Sequence, residues 1–430
     1  MTFPHRPPQL VVETREIDPV EDLLAFADPR SPLAWLRRGE GIVGVGHMVV
    51  GYETGAAGFD PRTLPSPADT WREIAALAEV DDPVGVHGTG LVAFGTLAFD
   101  PRSQASSRLI VPQAVVGHRE GRAWITTIRS TASTVAAPQV APVPYGPYWS
   151  ATLGPGALNP EGYQAAVRAG LDAIAAGEVG KVVLARDLVG TVPAGADLRR
   201  LVRALATGYL DTWTFAVDGL IGASPETLVT VSGGEVTARV LAGTIPRGAD
   251  NEGDAAASFR LSHSGKDLDE HQFAVQSVLD ALAPHVSSLR ADDEPFALEL
   301  PNLWHLATDV AGEIADHASA LDLVAALHPT AAVAGTPTEA AMEVIRRIEP
   351  FDRRRYAGPV GWVDAQGDGE WAIALRCAQI GIEPVRGFAE FSDTIPVVAH
   401  AGAGIVAGSD PETELLETRV KFRPIVDALA

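Results

Sequence analysis

Two segments of the chain carry paired acids at helical spacing. Asp267 and Glu270 stand three residues apart in GKDLDEHQF, and Glu414 and Glu417 do the same in PETELLETRVK. Residues three apart on a helix lie on one face. Each segment can therefore project two carboxylates in one direction, with His271 beside the first pair and Lys421 one turn beyond Glu417. Two such helices facing each other would form an all-oxygen nest that cannot stay buried without a cation. Hard oxygen donors with no Cys or His cluster suit Mg²⁺ that keeps several of its waters. Taken alone, the same pairs also fit solvated acids on helix faces, the ordinary state of such residues in an acidic chain.

Other residues carry different chemistry. Lys181 opens the apolar run KVVLARDLV, where alternation puts Lys181, Val183 and Ala185 on one strand face. Partial desolvation there would favour a neutral amine able to act as a base; a strand-edge Lys reaching into solvent fits the run as well. Arg376, in WAIALRCAQI, shares its face with Ala372, Ala374 and Ala378. That reads either as a guanidinium in a cavity, free to clamp a carboxylate, or as an Arg tethered to one of the many acids. Cys377 falls on the opposite, bulky face and reads as a buried small hydrophobe. Glu226 follows Pro225 on a turn between two strand-like runs. It could be a general acid if its pocket is apolar, or an ordinary turn acid. The glycine-rich pieces LAGT (241–244) and AGAG (401–404) bring bare backbone close to whatever fills a cleft, without the context of a dinucleotide loop or a P-loop.

The elements that would position these residues can be read from patterning. The stretch 130–160 has prolines at 138, 142, 144, 147, 155 and 160, which exclude a continuous helix or a central strand. It reads as a connector (136–160) between an N-terminal region (1–135), whose strand-like runs such as GIVGVGHMVVGYE would join a shared sheet, and a catalytic region (161–430). Asn159 as cap, Pro160 at the first helical position and Gly177 at the end frame a helix whose apolar residues Tyr163, Ala166, Val167, Gly170, Leu171 and Ile174 recur at three and four. Residues 214–244 read as strands joined by turns, with Gly233-Gly234 as one tight turn. Helices are expected at 266–282 and 319–327, then a hairpin through EWAIALRCAQI, the strand VVAHAGAGIVA and a final helix. Hairpins separated by helices, without steady βαβ alternation, predict an α+β fold with a large, mainly antiparallel sheet and helices outside.

Composition narrows the function. In 430 residues, 33 Lys+Arg face 55 Asp+Glu, a net charge of −22, and 46% of residues are hydrophobic. There is ample apolar material for a large core, and so acidic a chain repels nucleic acid. The single Cys377 excludes an internal disulfide and a Cys-rich metal centre. The first residues place Pro and acids where a secretion signal needs an apolar run, and no window approaches the ~20 apolar residues of a membrane span. A cytoplasmic protein with no membrane partner is expected.

Seven motifs then occur in a characteristic order: GASPETLV, VLAGTIPRG, KDLDEH, LHPTAAVAGTP, RIEPFDRRRYAGPVGW, ALRCAQI and AGAGIVAGSDPETELLETRVK. From about Lys181 to Lys421 the chain resembles the chorismate-utilising enzymes (anthranilate synthase component I-like), and the isochorismate synthase branch in particular. The resemblance implies a single α+β unit and Mg²⁺-dependent chemistry on chorismate. It implies that Glu270 and Glu417 bind the metal directly, with Asp267 and Glu414 as supporting acids. Asp267 is one methylene shorter than the Glu more usual there, which suggests a water-bridged role. It further implies that Lys181 activates water and Glu226 protonates the departing hydroxyl. Tyr356, Arg376 and Lys421, with backbone of Gly243 and Gly404, would contact the substrate carboxylates, and Thr244 and His328 would line the pocket. Lys181 is similar to the residue that marks water users rather than ammonia users of the anthranilate type, so no glutaminase partner is expected. Ala242 stands where the aminodeoxychorismate branch has Lys. Isochorismate is the expected product, destined for menaquinone, a siderophore or another pathway. Salicylate synthase, which eliminates pyruvate from the same intermediate, is the alternative, and a non-catalytic sensor on this fold a more distant one. A monomer is expected.

Overall fold

Strand patterning at the N-terminus sets the architecture. In Leu10–Ile17 the early residues alternate between buried and part-exposed positions, and the strand pairs antiparallel with Arg122–Ser130. The computed structural model of the chain describes residues 7–53, 66–132, 138–381 and 393–430. Among these, twenty-one strands join one hydrogen-bonded network with eight α-helices. The pairs are antiparallel except for the short contact of Leu10–Ile17 with Glu79–Asp81. The fold is α+β and mainly antiparallel.

Three long pairs carry most of the network. Glu40–Glu53 lies against Arg108–Arg119, Glu235–Pro246 against Leu303–Ile314, and Lys181–Pro193 against Thr394–Ile405. Strands from the first third bond to strands of the last two thirds: Leu33–Arg37 to Trp213–Val217, and Val92–Thr96 to Pro359–Asp364. The core between them is dense with large rings, and Trp35, Trp71, Trp124, Trp362 and Trp371 are fully buried. Gly233 and Gly234 both take positive φ (59° and 88°) and close the hairpin of Thr227–Ser232 with Glu235–Pro246. A two-residue turn matched to strand twist requires that conformation.

Residues 138–152 form no helix or strand, and the boundary expected near residue 135 lies outside the described residues. The connector is nonetheless held firmly. Arg199 is fully buried, pairs with Asp197 at 2.7 Å and donates to the carbonyls of Val143 and Pro144. Its guanidinium lies 4.7 Å from the Tyr145 ring. Val143 N–H bonds to Ala25, and Ala151 N–H to Leu429, so the connector ties both ends of the described chain together.

The helix after the connector is Pro160–Ala175, capped by the Asn159 side chain, with Tyr163, Ala166, Val167 and Gly170 buried as the spacing predicts. Gly170 is needed for close approach, because a Cβ there would meet Leu184 and Val182 of the Lys181 strand at 3.1 and 3.3 Å. The acid-bearing helices are Gly265–Leu282, capped by Ser264, and Pro411–Leu429, capped by Asp410. Helices Pro67–Ala76, Arg199–Gly208, Asn251–Ser262 and Thr338–Ile348 were not expected from patterning. No described helix is long and apolar enough to cross a membrane.

Candidate active site

The two acid-bearing helices meet at one cavity of about 420 Å³. Asp267 and Glu270 line it from one helix, and Glu414, Glu417 and Lys421 from the other, as i,i+3 and i,i+4 spacing allows. The acids are oxygen donors without a nearby Cys, a set that fits a hard divalent cation. They do not converge tightly. Among the described residues, the one trio of metal-type ligands with donor atoms within 4.8 Å of one another is His87, Asp364 and Asp368. None of those lines the cavity: Asp364 accepts backbone N–H groups of its own hairpin turn, and Asp368 that of Gly233.

Lys181 begins the strand Lys181–Pro193 and is 2% exposed. Its Nζ lies 2.9 Å from Glu270 Oε1. The expected burial is present, but the amine has an ionic partner that strand alternation could not reveal. Lys421 makes the matching contact on the other helix, 2.5 Å from Glu417 Oε1 and 3.0 Å from the Gly402 carbonyl. The strand carrying Gly402 and Gly404 runs beside Lys181, with Gly404 opposite Val183. A Cβ on Gly404 would stand 2.5 Å from Glu270 Oε1 and 3.0 Å from Lys181 Cε, so only glycine leaves room for that ion pair.

Glu226 sits where the strand Leu220–Ser224 breaks before Thr227–Ser232, and its backbone N–H donates to Ser224 Oγ. It lines the cavity and is 5% exposed. Burial pushes its carboxyl up to about 8, against the opposing pull of Lys181, Arg376 and Lys421. A carboxylic acid that stays protonated at neutral pH is equipped to donate a proton.

Arg376 also lines the cavity, but not as an alternating strand residue. The expected continuous strand is interrupted between Gly369–Ile373 and Cys377–Ile380, and Arg376 takes φ +50° in the gap. The face shared with alanines is thus replaced by a local left-handed turn that aims the guanidinium at His305, with Nη2 3.2 Å from His305 Nε2. Because the guanidinium can only donate, His305 Nε2 must accept and its proton belongs on Nδ1, which faces Thr244 Oγ1 at 3.0 Å and the Gly243 carbonyl at 3.3 Å. Burial, followed by the charges of Arg376 and Lys421, holds His305 well below the usual imidazole value. Gly243 itself has φ +80° at a bulge between Ala242 and Thr244. Tyr356 completes this wall, its ring 5.2 Å from that of His400.

The sequence reading missed His305 and chose His328 instead. His328 does not line the cavity. Its Nε2 bonds to the Phe99 carbonyl at 2.9 Å and its ring meets Phe99 edge-on, because it ends the helix Ala320–Leu327 on the far side of the segment that supplies Ala332 and Val333 to the wall. The signal for His305 was its pairing opposite Thr244, a contact 61 residues away in sequence. His271, beside the first acid pair, is buried and bonded to the Ala242 carbonyl and Thr308 Oγ1, a packing role.

The profile of the family described as chorismate binding enzyme matches residues 147–430, and the chain belongs to that family. It is 41% identical over 283 residues to the isochorismate synthase DhbC of Bacillus subtilis, covering 63% of this chain and 68% of that protein. It is 30% identical over 456 residues to the salicylate biosynthesis isochorismate synthase of Pseudomonas aeruginosa, covering 98% and 90%. The solved structure of DhbC from Bacillus anthracis superposes with a TM-score of 0.74 at 31% identity, covering 95% of this chain and 98% of that one.

Proposed function

We propose that this chain is an isochorismate synthase, an isomerase that adds water at C2 of chorismate with loss of the C4 hydroxyl. The relatives' names support the activity, and the observation that carries the chemistry is a buried Glu226 lining the cavity, its carboxyl pushed up to about 8, with the buried Lys181 held against Glu270 of the same cavity wall. A water oxygen bonds to C2, the ring double bonds shift, and the C4–O bond breaks. Lys181, once it has given up its own proton and its ion pair with Glu270, takes the proton from water. Glu226 gives its proton to the departing hydroxyl, which leaves as water; exchange with solvent restores both groups. Each such group typically contributes about 10²–10⁴-fold.

The substrate is a dianion entering a protein of charge −22, so its charge must be met locally. Arg376, oriented by neutral His305, clamps one carboxylate, with Tyr356 and Lys421 beside it and the backbone of Gly243 and Gly404 at close approach. Glu270 and Glu417 would hold Mg²⁺, with Asp267 and Glu414 supporting. The bound ion would supply Lewis-acid charge against the ring carboxylate. The protein works as a cytoplasmic monomer with no glutaminase partner. Incubation with chorismate and Mg²⁺, followed by chromatography and salicylate fluorescence, tests the proposal. Isochorismate as the end product supports it; salicylate with pyruvate, or no turnover, rejects it.

A further inference from the structure

We infer that Lys181 and Lys421 are the resident counter-ions of the metal-binding acids, so that the divalent cation and the two lysine ion pairs compete for the same carboxylates. The inference rests on the proposal that Glu270 and Glu417 take the metal. Glu270 is ion-paired with Lys181 at 2.9 Å and Glu417 with Lys421 at 2.5 Å. Neither lysine is free to swing away into solvent, their side chains being 2% and 12% exposed. An oxygen that accepts from an ammonium at this distance and also takes a small dication at ~2.0–2.1 Å would hold the two cations only ~4–5 Å apart in a buried site, a repulsion that weakens both contacts. Space is short as well, since Gly404 packs against both Glu270 and Lys181 so closely that a methyl group would not fit. The cavity acids fail to converge within 4.8 Å of one another in threes, as expected if lysines hold two of them apart.

Arg376 supplies the internal control. It carries the same charge into the same cavity, but its partner is His305 rather than a carboxylate. Removing it changes the local field without releasing an acid.

The test is a calorimetric titration of the full chain with MgCl₂, without chorismate, comparing wild type with Lys181→Met, Lys421→Met, Lys181→Arg and Arg376→Met. Competition predicts that Lys181→Met and Lys421→Met each tighten Mg²⁺ binding by about tenfold or more, the fold-change equivalent to one charge-assisted hydrogen bond. Lys181→Arg should stay near wild type, and Arg376→Met should tighten binding by clearly less. Lys421 is the more exposed of the two and keeps the test available if loss of the buried Lys181 impairs folding. Unchanged or weaker affinity in both methionine variants would overturn the inference, as would an equal gain in Arg376→Met, which would reduce the effect to general charge. A wild type that binds no Mg²⁺ would overturn it together with the metal assignment. Isochorismate formation by the same wild-type preparation reads the proposed activity independently of either result.

Discussion

The carboxyl and the amine proposed for opposite tasks have different surroundings: Glu226 lines the cavity, and Lys181 is buried against Glu270 of its wall. Among the described residues Glu226 has no ionic partner in hydrogen-bond contact, and its burial outweighs the pull of Lys181, Arg376 and Lys421. Lys181 is equally buried but sits against Glu270. The consequence for pH follows directly. Glu226 is protonated below about 8 in the folded chain, so kcat should fall as pH rises through that value. Glu226→Gln should lose at least about 10²-fold in kcat while keeping its secondary structure. Steady-state rates between pH 6 and 9.5 check this; a flat profile across pH 8 would remove Glu226 as the acid. The same group makes stability fall with pH. Between its ordinary carboxylate value and about 8, the folded chain binds a proton that the unfolded chain does not. Lys181→Ala should cost at least about 10²-fold in kcat with the fold intact, and a rate within a few-fold of wild type would reject its role as base.

At the scale of elements, most of the site follows from periodicity. The three-residue spacing of each acid pair, with capping residues Ser264 and Asp410 ahead of them, is enough to place four carboxylates on two helix faces. Strand alternation likewise puts Lys181 and Val183 toward one side, and Val183 lines the cavity. Two features escaped. Arg376 reaches the cavity through a strand break at positive φ, and nothing in a pattern of alternating alanines announces that break. His305 becomes a site residue only by tertiary pairing with the bulged Gly243-Thr244 segment, which no local period encodes. His328 shows the reverse error, since a His beside a motif can serve packing. Its Nε2–Phe99 bond is a buried structural contact, and burial pulls the imidazole down to about 4. His328→Leu should therefore lower stability by about 1–3 kcal/mol through the orphaned carbonyl, with KM for chorismate unchanged. Urea unfolding and steady-state kinetics on one preparation distinguish this from a pocket role, which would raise KM.

The whole molecule holds the site by joining distant parts of the chain into one sheet network. Strands from the first third bond to strands one step away from Glu226 and Arg376, since Leu33–Arg37 pairs with Trp213–Val217, the partner of the strand before the Glu226 turn, and Val92–Thr96 pairs with the hairpin that leads to Arg376. The connector is the other tie, and Arg199 is its fastening, reaching Asp197, Val143 and Pro144 from a fully buried position. Arg199→Met leaves Asp197 without its ionic partner and should cost about 3–5 kcal/mol. Denaturant unfolding monitored by Trp fluorescence would show it, and a loss under about 1 kcal/mol would mean that the connector is held chiefly by its own packing. That so much of this could be read beforehand reflects local spacing. The strand network and the connector's latch rest on contacts up to hundreds of residues apart, and these the sequence does not display.

The central claim, that this cavity adds a solvent oxygen to the ring and expels the original one, is tested most directly by running the reaction with chorismate and Mg²⁺ in H₂¹⁸O and locating the label by mass spectrometry. Isochorismate carrying one ¹⁸O in its C2 hydroxyl is the predicted result. Unlabelled isochorismate, with the C4 oxygen transferred within the molecule, would contradict the roles given to Lys181 and Glu226.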